Sequence, residues 1–134
     1  MTIPISKILR RSKRYDRFLP ISVMAVDEEN KSIPIGPFSG RIINISRHGA
    51  CLLMSQVLAN SYHLYHSTRE NETAFLQVTI NVQPEIKDCK IPCRPVWMDI
   101  FEEGEIRAFR IGIEFLVNPE GELMKRLEQV ISKK

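Results

Sequence analysis

Hydrophobic and polar residues alternate along most of this chain with a period of two, the period of a strand buried on one face. Leu76, Val78, Ile80 and Val82 interleave with Gln77, Thr79, Asn81 and Gln83, and Phe109, Ile111, Ile113 and Phe115 interleave with Arg110, Gly112 and Glu114. Both segments read as strands with one apolar and one wet face. Shorter runs at Ile21 to Val26, Gly40 to Ser46, Ala50 to Ser55 and Arg94 to Phe101 bring the expected number to six, with Gly, Pro, Asn and charged residues between them that favour turns. Arg47 and His48 before Gly49 predict one tight connection, and Glu102, Glu103 and Gly104 predict another.

The period changes at Asn118. This residue is placed to cap a helix with Pro119 in its first position and two acids in its opening turn, and Leu123, Leu127, Val130 and Ile131 fall on one stripe. Lys133 and Lys134 suit the negative end of such a helix. Six antiparallel strands and one closing helix predict an all-β fold, a small barrel without exposed sheet edges. The stretch from Gln56 to Glu72 has mixed periodicity and fits a loop or a short helix equally.

A chain of 134 residues with 43% hydrophobic and 26% charged residues suits one core. It carries no apolar run of about 20 residues and no secretory leader, so a cytoplasmic protein without membrane insertion is expected. Cys51, Cys89 and Cys93 are an odd set without zinc-ligand spacing, and they read as free thiols. His63 and His66 have a helical metal spacing but lack a carboxylate or cysteine partner, so no metal site is expected. Ser46 and His48 are too close in sequence to form a catalytic triad, and no third member is marked, so no catalytic site is expected.

Charge is unevenly spread. The formal net charge is +3, yet Lys7, Arg10, Arg11, Lys13, Arg14 and Arg17 crowd into the first seventeen residues beside one acid, Asp16. Residues 1–18 therefore read as a flexible basic segment that attracts polyanions, and residues 19–134 as the barrel with its helix.

Arg10 and Arg14 form an RxxxR pattern, and Asn44, Ser46 and Gly49 form a [DN]xSxxG pattern at the end of the second strand. In this order the two patterns resemble the PilZ family. The resemblance implies a six-stranded PilZ-type barrel and, as ligand, the bacterial second messenger cyclic di-GMP. It also implies that Arg10 and Arg14 grip phosphates and guanines while Asn44, Ser46 and Gly49 complete the site. The chemistry suits those roles, because a guanidinium fork matches both phosphate oxygens and the O6/N7 edge of guanine. Period two places Asn44 and Ser46 on one face, with Ile43 and Ile45 turned to the core. Gly49 is expected to supply a positive φ or a close approach of ligand to backbone. Arg11 is a secondary ligand candidate and Arg17 a weaker one; Lys13 shares a four-residue spacing with Arg17. Trp97 reads as core or groove wall, with an aromatic face that could also stack on guanine.

The expected function is a cyclic di-GMP receptor that changes conformation on binding and signals to a downstream protein effector. No cofactor beyond the ligand is implied. One alternative is a PilZ-like adaptor that binds protein and no nucleotide. Another is a barrel that binds single-stranded nucleic acid, which the 7% aromatic content weakens, so no nucleic-acid polymer is expected as partner.

Overall fold

The computed structural model describes residues 13–29 and 35–133. Its strands are β1 (Leu19–Asp27), β2 (Ile35–Ile45), β3 (Gly49–Met54), β4 (Leu58–Ala59), β5 (Tyr62–His63), β6 (Ala74–Val82), β7 (Ile86–Glu103) and β8 (Ile106–Phe115). Its helices are α1 (His66–Glu70) and α2 (Glu122–Ser132). The six long strands are antiparallel throughout in the order β1-β2-β3-β8-β7-β6, and β1 closes the barrel by pairing with β6 from Ile21↔Ile80 to Asp27↔Ala74. The all-β barrel with a C-terminal helix expected from the pattern is thus the observed architecture.

Alternation explains the core. Leu76, Val78, Ile80 and Val82 point inward from β6 and Ile111, Ile113 and Phe115 from β8, where they meet Ala50, Leu52 and Met54 of β3. Burying such side chains supplies most of the drive to fold, at about 25 cal/mol per Å² of apolar surface.

Three local expectations need correction. In β2 the register slips between Ile42 and Asn44, a bulge that opposes an extra residue to β3. Ile42 and Ile45 are therefore the core residues, and Ile43 is only half-buried. The C-terminal helix begins at Glu122, later than the Asn118 cap predicts. Asn118 Oδ1 instead accepts from the Glu120 N–H, and its carbonyl accepts from Gly121, so the residue closes a turn before the helix. The buried stripe is Met124, Leu127, Val130 and Ile131, leaving Leu123 41% exposed.

Residues 56–72 contain both a hairpin and a short helix. Asn60 and Ser61 adopt φ of 51° and 67° between β4 and β5, the twist of a two-residue hairpin turn. Without a glycine the pair gives little sequence signal. His63 Nδ1 accepts the Tyr65 and His66 backbone N–H groups, which commits that histidine to the turn into α1. Burial and the neighbouring His66 hold its pKa below the ordinary value.

Strand β7 is longer than its pattern suggests because Pro92 and Pro95 interrupt the reading. Pro95 sits where the β7–β8 register slips, a position at which a missing ladder donor is tolerated.

Candidate functional site

The leader approaches the barrel beside the end of β2. Tyr15 forms an antiparallel bridge with Ile45: its N–H donates to the Ile45 carbonyl at 2.8 Å, and its carbonyl accepts the Ile45 N–H at 2.9 Å. Ile45 is core and Tyr15 packs against the core, so residues next to them on either strand turn outward. In this register Arg14 falls opposite Ser46, with its side chain exposed. Two links lock the arrangement to α2. Arg17 Nε donates at 3.1 Å to the Ile131 carbonyl in the last helical turn, which also accepts the Lys133 N–H. Arg47 donates to Glu128 through Nε and Nη2 and to Glu120 through Nη1. Glu128 above all keeps the Arg47 guanidinium charged, raising its pKa further. Arg17 and Arg47 thereby fasten helix, leader and β2–β3 turn together. Arg10 and Arg11 lie outside the described residues.

The second motif divides its labour. Ser46 is buried, and its Oγ accepts from the His48 and Gly49 N–H groups at 3.2 and 3.3 Å while donating to the Gly49 carbonyl at 3.4 Å. Its hydroxyl is thus largely spent on holding the turn. Gly49 is buried in β3, and positive φ among the described glycines occurs at Gly36 and Gly104, so Gly49 does not supply the positive φ expected of it. Asn44 differs from both. Its Oδ1 is buried without a hydrogen-bond partner, a costly state of about 1–3 kcal/mol for a desolvated polar atom.

Asn44 opens a row across the outside of the barrel. Register pairs it with Cys51 of β3, Cys51 with Gly112 of β8, and Gly112 with Trp97 of β7. Cys51 lies between the core residues Ala50 and Leu52, and Gly112 between Ile111 and Ile113, so both face outward. The floor is narrow in side chain at its centre. A Cβ on Gly112 would run into the pyrrole edge of Trp97, which shows the indole lying over that glycine. Trp97 is therefore a groove wall and not core, and its Nε1 is the second buried polar atom without a partner. Groove wall is one of the two readings of Trp97 from sequence, but its seat over Gly112 leaves no sequence signal, because the glycine matters through its cross-strand neighbour.

Charge surrounds the row. Arg110, the next outward residue on β8, donates to Asp99 through Nε at 2.8 Å and Nη2 at 2.6 Å. Burial pushes the Cys51 thiol up to about 11, and the guanidinium of Arg110 and, more weakly, that of Arg14 pull it the other way. The charge of Arg14 therefore reaches the row. Cys93, wholly buried in the core, is pushed up by burial alone, and half-buried Cys89 less so. Thiol labelling at pH 8 should accordingly modify Cys89 first and leave Cys51 and Cys93 intact until denaturant is added, as thiolate fraction and access both dictate. Mass spectrometry of the labelled chain checks this; equal labelling of all three cysteines would contradict the burial described.

Among the described residues no group of three or more His, Cys, Asp or Glu is placed to hold a metal, and no helix is long and apolar enough to cross a membrane.

A sequence model described as the PilZ domain matches residues 8–133. Solved structures of similar fold include the Bacillus subtilis inhibitor of motility MotI/DgrA, with 19% identity, a TM-score of 0.52 and coverage of 92% of this chain and 50% of that one. PlzA of Borreliella burgdorferi in complex with c-di-GMP is 14% identical, with a TM-score of 0.52 and coverage of 98% and 59%. The PilZ domain of YcgR from Escherichia coli, also with c-di-GMP, is 12% identical, with a TM-score of 0.55 and coverage of 87% and 88%. At these identities the likeness is one of fold. The chain spans half to three-fifths of the length of the first two. No curated protein matches it in sequence.

Proposed function

The chain belongs to the PilZ domain family, and from that premise we propose that it is a cyclic di-GMP receptor acting without catalysis, on a downstream protein. The observation that carries this reading is the Tyr15–Ile45 bridge, which sets Arg14 beside the Asn44 and Ser46 end of β2. Arg14 thereby lies next to the second motif. Arg14 supplies a guanidinium fork to phosphate or guanine, Asn44 offers an unspent acceptor, and Ser46 shapes the turn that presents Gly49. Arg10 and Arg11, outside the described residues, are assigned to the ligand by the first motif alone.

Two of the structural relatives hold c-di-GMP, which supports the same ligand here. In this proposal ligand binding changes the conformation of the basic segment. The change passes to α2 through the Arg17–Ile131 and Arg47–Glu128 links, presenting a new composite surface to the effector. The protein acts in the cytoplasm, where the messenger is found.

Isothermal titration calorimetry of the full chain with cyclic di-GMP tests the reading and gives the stoichiometry. Saturable binding is expected. Absence of heat and of any thermal stabilisation by the ligand would turn the reading to the protein-binding adaptor.

A further inference from the structure

Strand β3 ends at Met54, opposite Phe109, so residues 106–108 of β8 run on beside β7 alone. The hairpin that joins β7 to β8 thus projects past β3 by about 10 Å, three residues of strand rise. Its two faces differ. On one, Glu102 pairs with Arg107 at 3.6 Å and the Arg107 guanidinium lies over the Phe109 ring at 5.7 Å, so charge and ring are matched within the chain. On the other, register sets Phe101 opposite Ala108 and Glu103 opposite Ile106, and period two brings these four to one face. Phe101 is 39% and Ile106 67% exposed, and Glu103 has no cationic partner among the described residues.

A cavity of about 520 Å³ opens beside the hairpin, across β8, β3, β2 and β1. Pro20 and Leu53 give it apolar walls, and the charged residues that line it are Arg41 and Arg107, with no acid. Arg107 is engaged by Glu102, whereas the exposed Arg41 has no carboxylate partner among the described residues. Each chain therefore carries an apolar face with an unmatched acid, next to a groove with an unmatched cation. We propose that this groove receives the Phe101–Glu103–Ile106 face of a second copy of the chain, in a two-fold dimer. An isologous interface needs one surface that is complementary to itself, and opposite unmatched charges beside exposed apolar residues meet that need. Glu103 of each copy reaches Arg41 of the other, and Phe101 leaves water against Pro20 and Leu53. Ile106 belongs to both the face and the groove, so it lies next to the two-fold axis and meets its own counterpart. The inference uses none of the residues assigned to the ligand and stands apart from the receptor reading.

Sedimentation equilibrium of the ligand-free full chain over the micromolar range should show a reversible monomer–dimer equilibrium. Arg41→Glu sets an acid against Glu103, and Glu103→Arg sets a cation against Arg41. Each variant alone should raise the dimer dissociation constant about tenfold or more. Mixed in equal amounts, the two variants should associate again, because the mixed dimer has opposite charges at both contacts. That recovery also shows that both variants fold. A wild-type chain that stays monomeric throughout, variants that dimerise as the wild type does, or a mixture no more associated than its components would overturn the proposal.

Discussion

Replacing Arg14 by alanine is expected to weaken cyclic di-GMP binding by roughly 30- to 1,000-fold, the effect of losing about 2–4 kcal/mol at a charged anchor. The size follows from what the side chain is. A guanidinium presents paired donors to a phosphate or to the O6/N7 edge of guanine, and truncation leaves the ligand charge without its partner. The backbone of Arg14 is placed by its neighbour Tyr15, whose bridge to Ile45 is made by main-chain atoms alone. Arg14→Ala should therefore leave the leader docked and the fold intact. Arg14→Lys should recover only part of the loss, since an ammonium keeps the charge and lacks the fork. Calorimetry at a fixed ionic strength separates these cases, and undiminished affinity of Arg14→Ala would remove the arginine from the site.

The second large effect concerns stability. Leu127→Ala is expected to cost about 2–5 kcal/mol, because deleting buried methyl groups forfeits their burial and leaves a cavity. Leu127 is 1% exposed and lies at the centre of the buried stripe formed with Met124, Val130 and Ile131. A loss of that size is a large share of the 5–15 kcal/mol typical of a small domain, and the melting temperature should fall by roughly 10 °C or more. Leu123→Ala, on the same helix but 41% exposed, should cost no more than about 1 kcal/mol. Thermal unfolding of the two variants side by side tests the assignment of the helix face, and equal losses would contradict it.

The contrast between those leucines shows where sequence reading stops. Helical periodicity found Leu127, Val130 and Ile131, yet the i, i+4 spacing placed Leu123 on the buried stripe where the fold buries Met124. The Asn118 side chain serves a turn as well as it serves a helix cap, and only the backbone that follows decides between them. A similar limit applies in β2. Period two located the strand and the outward Asn44, whereas the bulge that makes Ile42 rather than Ile43 the core residue leaves no mark in composition. Strands β6 and β8 were the most legible because their burial alternates along the strand, whereas β3 is buried at every position but Leu53.

The candidate site was half legible. The resemblance to the PilZ motifs singled out Arg10, Arg14, Asn44, Ser46 and Gly49, with Arg11 as a secondary candidate; Arg10 and Arg11 lie outside the described residues, and the fold brings the other four to one end of β2 and the turn beyond it. Cys51, Gly112 and Trp97 belong to three strands far apart in sequence, and their alignment exists only through strand register. Arg17 illustrates the converse, since a basic residue that shares the cluster's composition proves to be tied to the helix terminus.

Main-chain pairing at Tyr15 also works as a pivot of fixed position. From it, the five residues back to Arg10 can extend at most about 17 Å, and the four-residue interval between the motif arginines spans at most about 14 Å. In the proposed receptor, a clasp of that length suits a compact cyclic molecule. Lengthening the leader by one residue between Arg14 and Tyr15 would turn the arginine to the opposite side of the strand, so the grip depends on phase as much as on charge.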